Sequence, residues 1–114
     1  MKHKYGEFSE KQIAEMKERI RKRIFFLLVL ADPEKNEEHK NVDICVSFRS
    51  VMTFLGGLNS LLHYPVEIVT ILSLLEAALI ELKQNEFNIL DFRHSTYRKL
   101  ILDAVNEVSS IKEV

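Results

Sequence analysis

The chain has 114 residues, 46% of them hydrophobic and 29% charged, with a formal net charge of −1. That length predicts one domain with a real core; the hydrophobic fraction excludes general disorder, and near-neutrality excludes a global field drawing in nucleic acid or an acidic membrane. Three glycines and two prolines leave little punctuation for a many-turned β fold. The single cysteine, Cys45, excludes an intramolecular disulfide and fits a reducing compartment.

Residues 1–8 read as a flexible N-terminus and 9–114 as a single helical domain. Ser9 followed by Gln12 matches a capping box, with Phe8 and Ile13 as its hydrophobic staple, so the first helix is expected over roughly 9–31. Its apolar stripe runs Ile13, Met16, Ile20, Ile24, Leu27, Ala31, in steps of three and four. Beyond Ile24 the pattern is apolar all round (Phe25, Phe26, Leu28, Val29, Leu30), which predicts deep burial of the second half. The basic run 17–23 followed by the apolar run 24–31 has the order of a secretory signal. Sixteen mostly polar residues precede it, however, the apolar run is short, and Ala31 leads into Asp32-Pro33 rather than a small-residue cleavage site. The protein is therefore expected to be soluble and cytoplasmic.

Residues 32–42 form a solvated loop. A second helix, roughly 43–62, carries the stripe Ile44, Phe48, Val51, Leu55, Leu58, Leu62. Its register runs through Gly56-Gly57, which predicts continuity despite about 1 kcal/mol of lost propensity per glycine. The pair is expected either to admit a second backbone or to mark a bend. Pro65 suits the first position of a third helix, roughly 65–84. Stretch 50–82 holds no lysine or arginine, and the third helix within it is apolar on two faces. The broad face is Ile68, Ile71, Leu72, Leu75, Leu79, Leu82; the narrow one is Val66, Val69, Ser73, Ala77, Ile80. Glu67, Glu76 and Glu81 exclude a membrane span here. A fourth helix is expected over roughly 88–112, with Asn88 as N-cap, Phe87 and Phe92 as staple, and the stripe Leu90, His94, Tyr97, Ile101, Ala104, Val108, Ile111. Four helices with mostly short connections predict an all-α, antiparallel four-helix bundle, completed or extended by dimerisation.

The chemistry-bearing residues are sparse. Lys17, Arg19, Arg21, Lys22 and Arg23 form a basic cluster, with Lys17, Arg21 and Arg23 the candidate nucleic-acid contacts. Helical geometry spreads the five around the axis, and Glu15 and Glu18 precede Arg19 and Lys22 at the spacing of stabilising pairs, so a solvated, self-paired helix is the plainer reading. His94, alone in an apolar seam, reads as a hydrogen-bonded boundary residue, because no second ligand stands at helical spacing. His3 and Glu38-His39 lack partners for a metal, and His63 reads as an end group of the second helix. Glu76, with Lys83 or Arg49 in reach, reads as a boundary salt bridge fixing register. Cys45 reads as packing, Gly56-Gly57 lacks the spacing and lysine of a phosphate loop, and Ser95-Thr96 and Ser109-Ser110 have no evident base. No catalytic, cofactor or metal constellation emerges.

The narrow face of the third helix is then the feature to explain. Val66, Val69, Ser73, Ala77 and Ile80 would form an apolar strip of the kind that marks an interaction site, and two-fold pairing is the commonest way to cover one. The expectation is a small non-catalytic helical interaction or regulatory protein, homodimeric through that face and acting on an unidentified protein partner. The alternatives are an accessory nucleic-acid-binding protein presenting the first helix, and a membrane-protein or membrane-surface partner that swings out Phe25, Phe26 and Leu30.

Overall fold

The computed structural model describes residues 2–3, 6–7, 10–32, 42–61, 65–86, 89 and 91–111. Two short strands, β1 (Lys2–His3) and β2 (Gly6–Glu7), pair antiparallel within the tail, with Lys2 opposite Glu7. Four α-helices follow: α1 (Glu10–Ala31), α2 (Ile44–Leu61), α3 (Val66–Gln84) and α4 (Thr96–Val108), with a 3-10 turn at Phe92–His94. α4 adjoins α3 and α1, and α2 adjoins α3 and α1, so the helices form a ring with α1 and α3 on one diagonal. The radius of gyration is 14.7 Å, somewhat above the roughly 13 Å of a rounder chain of this length. Extents of 45 × 24 × 21 Å match rods packed side by side.

The core follows the helical periods. Ile20, Ile24 and Leu27 of α1, Phe48 and Leu55 of α2, and Ile101 and Val108 of α4 are fully buried. On α3 the buried row is Ile68, Ile71, Leu75, Ala78 and Leu82, while Leu72 and Leu79 are only half-buried. The inward face is thus rotated toward Ala78. Tyr97 ties three helices together: its hydroxyl donates to the Leu27 carbonyl at 2.7 Å, and its ring meets Phe48 edge-on at 6.2 Å. Burial pushes the Tyr97 phenol well above the usual tyrosine range.

Several expectations need correction. α4 starts eight residues late, at Thr96, and ends at Val108 rather than 112. The reason is local. Asp91 sits in the left-handed region (φ 49°, ψ 59°), which a continuing helix forbids, and Ser95 is extended and accepts the Arg98 N–H on Oγ as N-cap. His94 consequently leaves the apolar seam and stands in solvent, its Nδ1 3.1 Å from the Asp91 carboxylate. The expected Asn88 cap, the Phe87 staple partner and Leu90 lie outside the described residues, as do Phe8, Ser9, Leu62, His63 and most of loop 32–42. Phe25, expected to be buried, is 44% exposed, because α2 and α4 flank α1 without closing over its outer side. α2 does run unbroken through Gly56 and Gly57, but a Cβ on either would meet nothing within 4 Å, so among the described residues no other backbone approaches there.

Candidate interaction surface

The sequence of α3 supplies more apolar surface than two neighbouring helices can cover. With α2 on one flank and α4 on the other, the outer quadrant remains open. Val66, Val69 and Ile80 are 69%, 44% and 50% exposed, Ser73 is exposed and Ala77 half-buried. α1, whose apolar second half could have covered the strip within the chain, does not adjoin α3. The strip's polar atoms are already satisfied: the Thr70 hydroxyl donates to the Val66 carbonyl and the Ser73 hydroxyl to the Val69 carbonyl, each at 3.0 Å. Hydroxyls turned onto their own helix in this way leave no unpaired donor to desolvate when the strip is covered.

The charged residues around the strip are mostly acidic. Glu76 is exposed and, with Arg49 and Lys83, forms no ion pair among the described residues, so the expected register-fixing bridge is absent there. α3 as a whole carries Glu67, Glu76 and Glu81 against the single cation Lys83.

The basic cluster on α1 is divided by its neighbours. Arg21 donates to Glu18 at 2.8 Å and to the Ser109 hydroxyl at the end of α4 at 2.9 Å. Arg23 lies over the Phe54 ring of α2, 4.7 Å from its centroid, a contact of the cation–π kind. These two candidate nucleic-acid contacts are therefore drawn to opposite flanks, and Lys17 is half-buried beside them in sequence. The pair that forms is Glu18–Arg21; among the described residues neither Glu15–Arg19 nor Glu18–Lys22 does. Between α1 and α4 a groove of about 440 Å³ is lined by Phe25, Phe26, Val29 and Val105 together with Glu18, Arg21 and Lys22. Leu30, which the membrane alternative would swing out with Phe25 and Phe26, is buried, as the apolar pattern of this half of α1 predicts.

The sequence reading missed one constellation. Cys45 is half-buried and shares a cleft with Arg49, Met52, Thr53, Leu79 and Lys83. The spacing of Cys45 and Arg49, four apart on one helix, was the available signal; Lys83 joins them only through the packing of α2 on α3. Among the described residues no group of three or more His, Cys, Asp or Glu could hold a metal ion, and no helix is long and apolar enough to cross a membrane. No family model, no curated protein and no solved structure matches the chain.

Proposed function

We propose that this chain is a non-catalytic helical interaction protein that forms a homodimer through the outer face of α3 and acts by binding another protein. The observation carrying the reading is the uncovered strip Val66, Val69, Ser73, Ala77, Ile80, whose one hydroxyl, Ser73, is already paired, as is that of neighbouring Thr70. A second copy suits it as occupant because the strip is symmetric about Ser73. Val69 and Ala77 lie four residues to either side, and Val66 and Ile80 seven. An antiparallel pairing with its two-fold axis at Ser73 sets Val66 against Ile80 and Val69 against Ala77, large groups outside and small ones at the centre, as an isologous interface requires. Within each chain the helices run antiparallel in this reading. Tyr97 near the start of α4 reaches Leu27 late in α1, while Ser109 past the end of α4 meets Arg21.

Five side chains offer only a fraction of the roughly 800 Å² per partner of a standard interface. The proposed contact therefore extends onto α2, where exposed Gly56 and Gly57 leave backbone bare, and the dimer is expected to be weak enough to dissociate on dilution. Absolute mass by light scattering, across about a hundredfold range of concentration, tests it. A mass doubling with concentration, abolished in a folded, helical Ala77→Glu variant, is expected. A monomer throughout, or an Ala77→Glu variant that stays dimeric or collapses, removes the face as an interface.

The exposed Phe25 and the apolar groove beside it favour a second reading, contact with a membrane surface or a membrane protein, in which α1 need not swing out. Failure of anionic liposomes to sediment the protein ends the membrane-surface form.

A further inference from the structure

Arg49, on α2, and Lys83, in the last turn of α3, open onto one cleft of about 390 Å³ together with Cys45, Met52, Thr53 and Leu79. That volume lies within the range of small-ligand sites. Two cations brought together from different helices repel each other, and a carboxylate between them is the ordinary remedy. Among the described residues no carboxylate lines the cleft, and neither cation has an ion pair there. The nearby acidic groups are otherwise placed: Glu81, two residues before Lys83, accepts from the Asn85 side-chain amide at 3.4 Å, and neither it nor Glu86 is in the lining. Asp43 accepts the N–H groups of Cys45 and Val46 at 2.9 and 3.4 Å, and Glu76 stands exposed outside the lining. Met52 and Leu79, half-buried against the core, supply an apolar wall, and the Thr53 hydroxyl a further polar contact. A charged head and a hydrocarbon tail are the two chemistries this lining accommodates together. A fully hydrated anion would leave Met52 and Leu79 unused, and a neutral hydrocarbon would leave the cations unrelieved.

We propose that the cleft between α2 and α3 binds a small amphiphilic anion of the short-chain carboxylate class, its head group between Arg49 and Lys83 and its hydrocarbon against Met52 and Leu79. Arginine's planar fork matches a carboxylate, and lysine adds a point charge to it. The cleft lies on the flank of α3 and does not depend on its outer strip.

The test is an NMR titration of the full chain with octanoate, octanol and inorganic phosphate in parallel. Octanoate is expected to produce saturable shifts of the Met52 and Leu79 methyl groups. Arg49→Gln and Lys83→Gln, both at exposed positions, are each expected to weaken binding roughly tenfold, the loss of about one charge-assisted contact. Cys45, the only cysteine, gives a second readout, its alkylation by iodoacetamide slowing as octanoate saturates the cleft. Absence of saturable shifts at Met52 and Leu79 overturns the proposal, as do charge variants that bind undiminished or a Cys45 rate unchanged at saturation. Octanol binding as well as octanoate removes the anion requirement, and phosphate binding as well as octanoate removes the amphiphile; either result sinks the assignment.

Discussion

On the inner face of α3, Ile68, Ile71, Leu75, Ala78 and Leu82 are buried to within 1% of completeness, while on its outer face Val66, Val69 and Ile80 stand in water. The two sets are alike in chemistry, and only the ring of neighbours separates them. Hydrophobicity therefore tells where a helix can be buried, and topology decides how much of that capacity one chain uses. A single exposed valine is ordinary; a row of apolar positions along one helix, with its hydroxyls turned inward, is unused capacity.

The largest test of that contrast removes the same kind of group from each side. Leu75→Ala is expected to cost about 2–5 kcal/mol in urea denaturation, because it strips a fully buried side chain and leaves a cavity. Ile80→Ala, on the outer face, is expected to change the stability of the monomer by less than about 0.5 kcal/mol. Equal losses would mean that the outer strip is packed by the chain after all.

Tyr97 sharpens the inner side. Tyr97→Phe keeps the ring against Phe48 and loses the hydrogen bond to Leu27, for an expected cost of about 1 kcal/mol. The pH dependence follows from the direction of its shift. Burial holds the phenol protonated in the folded chain above its ordinary value of 10.0, so the stability linked to it is complete below that pH. As pH rises beyond it the unfolded phenol ionises while the buried one does not, and stability falls. Denaturation midpoints measured from pH 8 to 11 should decline above about pH 10, and Tyr97→Phe should flatten that decline; an undiminished slope would assign it to other groups.

How much of this was legible beforehand differs by element. The starts and ends of α1, α2 and α3 stood in the sequence to within a residue or so, because Asp32-Pro33 and Pro65 fence long, regular periods. The start of α4 was not, because Asn88 and Ser95 are both acceptable caps and only the left-handed Asp91 separates them. His94 went wrong with it, being one step from Tyr97 in a helix that does not extend that far back. In the second half of α1 the pattern is apolar on every side, and nothing in it says that Phe25 faces out while Leu28 faces in. The outer strip of α3 was legible as a surplus of apolar positions. The cleft of Cys45, Arg49 and Lys83 was only half legible, since its third member comes from another helix.

Gly56 and Gly57 extend the comparison from α3 to its neighbour. A Cβ at either position meets open space, so the fold of one chain gains nothing from these glycines and forgoes helix propensity. Gly56→Ala and Gly57→Ala should each raise monomer stability, by up to about 1 kcal/mol. If the backbone there is where a second copy comes close, the same substitutions should weaken association, so that stability and dimer affinity move in opposite directions. Both rising together would restrict the interface to α3.

The smallest expected effect separates the two surfaces most cleanly by sign. α3 carries Glu67, Glu76 and Glu81 against Lys83 alone, so two copies meeting there bring acidic rims together. Like charges at the edge of an apolar contact oppose it weakly, and salt screens them over a Debye length of about 8 Å at physiological strength. Raising salt from 50 to 300 mM should therefore tighten the dimer, by a few tenths of a kcal/mol or up to about twofold in Kd, read by sedimentation equilibrium. Contact of Lys17, Arg21 and Arg23 with nucleic acid would weaken over the same range, because cations displaced from phosphates return as salt rises. A dimer that loosens with salt would mean that the outer strip of α3 meets a basic surface, such as α1 of another copy, rather than itself.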